Sequence, residues 1–168
     1  LASDIPSSTQ LVIIDNSGVD QKKYFNAQFK NVVYISSIGN VGFAAGNNLG
    51  INYALKHGAT HILLFNPDVR VPKVFLKPLL NTFKLHKNAG IVAPAHKEPG
   101  SLTCGLGGSI NWDNCTFPLT NTNKLPNKER VFDHLTFACV LMSADVINEI
   151  GLLDERYFMY LEDVDYCV

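Results

Sequence analysis

Short apolar runs that stop at polar turn residues constrain this chain more than any other feature. Leu11-Val12-Ile13-Ile14 runs into Asp15-Asn16-Ser17-Gly18, and Ile62-Leu63-Leu64-Phe65 runs into Asn66-Pro67-Asp68. Val32-Val33-Tyr34-Ile35 is a third run of the same length. Four apolar residues are too few for a buried helix and suit a buried strand closed by a turn. The segments between the runs have helical character. Residues 42–57 carry Ala44, Ala45, Leu49, Ala54 and Leu55 and meet Gly58 at the expected stop. Residues 22–29 form a shorter helix, and residues 72–86 a long one with Pro72 in its first turn. Residues 90–95 complete the pattern as a fourth strand. Strand–helix alternation of this kind predicts an α/β fold, a mostly parallel mixed sheet flanked by helices.

Beyond residue 95 the pattern changes. Gly105, Gly107 and Gly108 mark residues 102–110 as a bent strand or hairpin, and residues 112–130 are rich in Asn, Thr, Pro and Lys, as expected of a long mobile loop. Residues 132–142 are again strand-like. Ser143 is a good N-cap for a short helix over 144–150, closed by Gly151.

The 168 residues fit one domain with a real core. A formal net charge of −1 gives no basic excess, which argues against a nucleic-acid partner. No apolar run approaches the ~20 residues that span a bilayer. Cys104, Cys115, Cys139 and Cys167 contain no C-x-x-C pair, so zinc ligation has no support. Reduced thiols in a cytoplasmic setting are expected, with a Cys104–Cys115 bridge across a hairpin the minor alternative. The five histidines show no metalloprotease spacing, and no G-x-S-x-G is present.

In open α/β sheets, ligands collect at the carboxyl ends of strands. Asp15-Asn16 stands at one such end, where it can accept hydrogen bonds from a base or ribose. Asn66-Pro67-Asp68 stands at another, with an amide oxygen and a carboxylate held apart by proline, a pair suited to Mg²⁺ or Mn²⁺ on a diphosphate. Either motif by itself reads first as an Asx turn. Asn40-Val41-Gly42-Phe43-Ala44-Ala45-Gly46-Asn47-Asn48 lies between strand and helix. Its glycines allow close backbone approach, and helix N-terminal amides favour phosphate, although it is neither a Rossmann fingerprint nor a P-loop. Tight helix–sheet packing is the plain alternative. Residues 154–165 gather Asp154, Glu155, Glu162, Asp163 and Asp165 among Tyr157, Phe158, Met159 and Tyr160. Such a cluster suits proton abstraction beside a ring-shaped substrate, or else is a solvated helix start over tucked aromatics, with Phe158 expected in the core.

Taken in order, these segments resemble the family 2 inverting glycosyltransferases of the GT-A fold, most closely the bacterial rhamnosyltransferase-like branch. The matching pieces are Ile13-Ile14-Asp15-Asn16-Ser17, Asn40 to Ile51, Leu64-Phe65-Asn66-Pro67-Asp68-Val69, Gly107-Gly108, and Gly151 to Asp165. They span essentially the whole chain. The resemblance implies a partial catalytic domain over residues 1–168, with donor binding at about 1–95 and the acceptor side at about 96–168. The family's opening strand would precede residue 1, and an acceptor-side segment would follow the acidic cluster.

The resemblance also implies roles. Asp163 would be the catalytic base with Glu162 beside it. Asp15, Asn16, Asn40, Gly42, Asn47 and Asn66 would face the donor, and Asp68 would bind the divalent metal, Mg²⁺ or Mn²⁺. Asn66 departs from the family's two-acid metal motif. Tyr157 and Tyr160 would serve the acceptor side. The expected reaction is inverting transfer of a hexose from a dTDP-, UDP- or GDP-sugar to a glycan or lipid-linked acceptor in cell-surface polysaccharide synthesis. The setting would be cytoplasmic, at or near the inner face of the membrane. Open sheet edges would favour homodimers. The rival readings are a nucleotide- or sugar-binding module without activity and a sugar-1-phosphate nucleotidyltransferase, which would need a basic Gly-rich loop near its start.

Overall fold

A computed structural model describes residues 4–29 and 31–168. In chain order the elements are β1 (Leu11–Asp15), α1 (Lys22–Gln28), β2 (Val32–Ser36), α2 (Gly42–Lys56), β3 (His61–Phe65), α3 (Leu76–Leu85), β4 (Ile91–Val92), β5 (Cys104–Gly108), β6 (Leu119–Thr122), β7 (Cys139–Ser143), α4 (Ala144–Ile150) and α5 (Glu162–Cys167). The fold is α/β, compatible with a glycosyltransferase fold. The chain divides into two compact units. One holds Asp4, Leu63–Met142 and Asp163–Val168, and the other Ile5–Ile62 and Ser143–Glu162. Each unit is assembled from segments distant in sequence.

In the second of these units, β1 and β2 pair in parallel, from Leu11 opposite Val32 to Asp15 opposite Ser36. Parallel strands need a crossover, which α1 supplies. α2 lies against β1 because its facing side carries no bulk. A Cβ on Gly50 would stand 3.3 Å from the Ile14 side chain, and one on Gly46 would stand 3.4 Å from Asn16 Nδ2. At these two glycines the close-packing explanation of the glycine-rich segment holds. α4 begins as its sequence predicts: Ser143 Oγ accepts from Val146 N at 3.1 Å, and Gly151 ends it at φ +98°.

The other unit is built on the strand order β3-β7-β4, with β7 antiparallel to β4. Phe75, Leu76, Leu79, Cys139 and Leu141 form its buried core, with Leu63, Val69, Val71, Leu80, Phe83 and Val92 packed around them. Leu76, Leu79, Leu80 and Phe83 recur at helical spacing, so α3 turns one apolar side to the core. Cutting Leu79 to Ala would cost about 2–5 kcal/mol. α3 starts four residues later than expected. Pro78 falls in its first turn, where a missing N–H is tolerated, and Lys77 N donates to Asp4 Oδ2 at 2.6 Å.

Three further expectations are corrected. β4 is only two residues long, because Pro94 cannot donate to a ladder. The supposed loop over 112–130 contains β6, which pairs antiparallel with β5. The four early strands do not form one hydrogen-bonded sheet: among the described residues β1-β2, β3-β7-β4 and β5-β6 are separate ladders. No helix among the described residues is long and apolar enough to cross a membrane. All four cysteines are free.

Candidate functional site

β1 ends at Asp15, which is buried to 9% exposure. Ser17 N donates to Asp15 Oδ1 at 2.9 Å, and the Tyr34 hydroxyl donates to Oδ2. These contacts, the tyrosine first, hold the Asp15 carboxyl below the ordinary aspartate range. Burial, and then the same hydrogen bond, push the Tyr34 phenol up. Asp15 is thus an oriented, ionised acceptor. Tyr34 was not singled out in the sequence; the clue was a hydroxyl on an otherwise apolar strand.

Asn16 has no capacity left. Its Nδ2 donates to Asn40 Oδ1 at 3.1 Å and to the Gly42 carbonyl at 3.0 Å. Its Oδ1 accepts from Ser37 Oγ at 2.9 Å and from Val41 N at 3.1 Å. Two donors and two acceptors exhaust a carboxamide. Asn16 therefore clamps the turn into α2 with all four of these hydrogen bonds.

The start of α2 is equally occupied. Asn40 Oδ1 takes Gly42 N at 3.1 Å, and the Phe158 carbonyl takes Phe43 N at 2.7 Å. With Val41 N on Asn16, the first three amides are engaged. The expected phosphate cradle at this helix start loses those donors. Asn40 is a turn-holding group, and Asn47 Nδ2 bonds back to the Phe43 carbonyl at 2.9 Å. Gly42, at φ +87°, is required by its neighbour: a Cβ there would lie 2.5 Å from the Phe158 carbonyl oxygen.

The residue the sequence reading missed is Asn48, one position along. It is 2% exposed, and it binds Leu153 through both backbone groups and Glu155 Oε1 at 2.9 Å. Its position on the buried stripe with Ala44 and Ile51 was the available signal. Asp154 is held by Arg156, whose Nη2 stands 2.5 Å from Oδ2. Two of the five clustered acids are therefore structural. Tyr157 N caps back to the Asp154 carbonyl at 3.1 Å. Phe158 is not a core residue; it is 53% exposed. Tyr160 and Leu161 both sit at φ +70°, a costly region for bulky side chains, directly before Glu162-Asp163. Glu162 is buried, Asp163 half-buried and Asp165 exposed on α5. Tyr160 is largely exposed.

Asn66 and Asp68 follow β3 in a turn closed by Val69 N on the Asn66 carbonyl at 3.1 Å. Asn66 N is tied to the Ala138 carbonyl at 2.9 Å. The Asp68 carboxylate is exposed and has no hydrogen bond or ion pair among the described residues. Among those residues no group of three or more His, Cys, Asp or Glu is placed to hold a metal. To a divalent ion this turn would therefore offer one free protein carboxylate, Asp68.

The chain matches no protein-family model. It is similar along almost its full length to three curated proteins. It is 30% identical over 183 residues to the low-salt glycan biosynthesis hexosyltransferase Agl10 of Haloferax volcanii, covering 99% of this chain and 55% of that protein. It is 26% identical to the dTDP-rhamnosyl transferase RfbF of Shigella flexneri, covering 94% of this chain and 52% of that protein. It is 24% identical to an N-acetylglucosaminyl-diphospho-decaprenol L-rhamnosyltransferase of Mycobacterium tuberculosis, covering 98% and 61%. The chain thus spans about half the length of these relatives. All three names describe sugar transfer.

Proposed function

We propose that this chain carries the donor-binding and catalytic part of a glycosyltransferase, which moves a sugar from a nucleotide-sugar donor to a hydroxyl of a glycan or lipid-linked acceptor. The observation that carries this reading is the similarity to hexosyl- and rhamnosyltransferases over 94–99% of the chain. The free Asp68 carboxylate and the tethered acidic segment support it.

Asp15 receives the base of the donor. Asn16 and Asn40 hold the turn beside it, and Gly42 lets the backbone of the acidic segment at Phe158 approach α2. Asn47 and Asn66 line the donor side. Asp68 would hold a divalent ion, which when bound would offset charge on the diphosphate. Asp163 accepts the proton of the acceptor hydroxyl as that oxygen attacks the anomeric carbon. The bond from that carbon to the diphosphate breaks, nucleoside diphosphate leaves, and configuration inverts in the single displacement. Glu162 steadies the segment from its buried position, and Tyr157 and Tyr160 flank the acceptor. The donor is a dTDP-, UDP- or GDP-sugar, and the setting is the cytoplasmic side of a membrane. GT-A architecture, family 2 membership and pairing of two copies through open strand edges are part of the same reading.

The test is release of nucleoside diphosphate when acceptor is added to donor and Mn²⁺. Asp163→Asn should slow release by at least ~10²-fold with donor affinity unchanged, because a general base acts on the chemical step. Glu162→Gln should be milder. If Glu162→Gln is crippling and Asp163→Asn silent, the base belongs to the other member of the pair. Donor binding without release at any acceptor would favour a binding module.

A further inference from the structure

The hydroxyl of Tyr34 sits in a defined hydrogen-bond chain. Gln21 N donates to it at 2.9 Å, and it donates onward to Asp15 Oδ2. A hydroxyl has one proton, so the incoming amide hydrogen fixes its direction: the Tyr34 proton must point to the carboxylate. On the other side of Asp15, Ser17 N fixes Oδ1 at 2.9 Å. The tyrosine ring is itself held, stacked on Phe25 of α1 at a centroid distance of 5.3 Å. Both carboxylate oxygens are thus engaged, Oδ1 by the Ser17 amide and Oδ2 by Tyr34, with the Ser17 and Gln21 side chains as smaller contributors to the same carboxylate.

The surroundings leave few other charges in play. β2 presents Tyr34 to Asp15, the turn after β1 presents Ser17 and Gln21, and α1 backs Tyr34 with Phe25. α2 meets β1 through its glycines. Among the described residues no cation forms an ion pair with Asp15. The acceptor character of this carboxylate therefore depends on neutral hydrogen bonds, with the tyrosine the stronger contributor.

We propose that Tyr34 is a positioning residue that locks Asp15 as an acceptor-only edge, so that the site takes a nucleoside diphosphate whose base presents an N–H there. Uracil and thymine offer the imide N–H, and guanine offers two adjacent N–H groups. Adenine and cytosine place a ring-nitrogen lone pair beside their amino group, which an ionised carboxylate repels. The inference rests on the donor assignment of Asp15 made under the proposed function, and adds the residue that sets its selectivity.

The experiment is titration of the chain with UDP and ADP in Mn²⁺ across acidic pH. Two replacements are compared: Tyr34→Phe, and site-specific 3-fluorotyrosine at position 34, which keeps the shape but has a more acidic hydroxyl. Wild type should prefer UDP and lose it as pH falls and Asp15 protonates. Tyr34→Phe should weaken UDP by about tenfold, the scale of one charge-assisted hydrogen bond, narrow the preference over ADP, and move the acid loss to higher pH. The fluorinated residue should move that loss to lower pH. Loss points identical in all three proteins would overturn the role of Tyr34 while leaving the donor site standing. If wild type binds no nucleoside diphosphate at any pH, the donor reading and the inference fall together. The fluorinated form preserves the test if Tyr34→Phe does not fold.

Discussion

Asn48 and Leu153 exchange two hydrogen bonds: Leu153 N donates to Asn48 Oδ1 at 3.1 Å, and Asn48 Nδ2 donates to the Leu153 carbonyl at 2.9 Å. The two residues are 105 positions apart in sequence. The pairing imitates a backbone ladder between a helix side chain and the start of the acidic segment, and both residues are buried. It places that segment by a specific contact where packing alone would leave it free to slide.

Asn48→Ala should therefore destabilise the protein by roughly 2–4 kcal/mol, since it leaves two backbone groups of Leu153 buried and unsatisfied. Urea unfolding checks this. A loss below about 0.5 kcal/mol would mean that water replaces the amide and that the tether is dispensable.

Gly42 and Gly58 separate two costs of a side chain. Both have positive φ, +87° and +76°, but a Cβ at Gly58 meets nothing within 4 Å among the described residues, whereas at Gly42 it meets Phe158. Gly58→Ala should cost about 1–2 kcal/mol from backbone conformation alone. Gly42→Ala should cost that plus about 1–3 kcal/mol of overlap. Equal losses in thermal unfolding would show that Phe158 does not press on α2 as described.

Much of this arrangement was legible beforehand, and the failures have physical causes. β1, β2 and β3 read correctly because four or five apolar residues bounded by polar turn residues admit little else. The start of α3 is hidden in the sequence because Pro72 and Pro78 both suit a first turn, and Pro78 is the one in that place. β6 was hidden because Leu119-Thr120-Asn121-Thr122 is polar, and its strand character comes from pairing with β5, a tertiary effect. At Asn16 the sequence shows an amide but not that it makes four hydrogen bonds within the turn. Asn47 and Asn48 look alike in sequence, and only the helical period separates them by placing position 48 on the buried side.

Acid should weaken the fold partly through Asp15. Its folded-state pKa is lowered, so the unfolded chain binds the extra proton first. The stabilisation is complete above the unfolded value of about 3.9 and is lost as pH falls through the lower folded value. The stability difference between wild type and Asp15→Asn, measured in urea, should be constant from pH 7 to 5 and shrink on further acidification. A difference that grows on acidification would reverse the sign of the assignment.

The cysteines should label in order of exposure. Cys115 is exposed, whereas burial pushes the Cys139 thiol up to about 11. Because the thiolate is the reactive form, mass spectrometry after brief alkylation at neutral pH should find Cys115 modified and Cys139 untouched until denaturant is added. Equal labelling in native buffer would mean that the core around Leu79 and Leu141 opens readily.

The central claim, a nucleotide-sugar site completed by a metal at Asp68, is tested most directly by calorimetric titration of UDP, dTDP and GDP in Mn²⁺ against wild type and Asp68→Ala. Asp68 is exposed and bonded to nothing among the described residues, so its removal should leave the fold intact. The account predicts that wild type binds at least one of the three and that Asp68→Ala loses the Mn²⁺-dependent part of that binding. Failure of all three to bind wild type, or undiminished binding by Asp68→Ala, would contradict it.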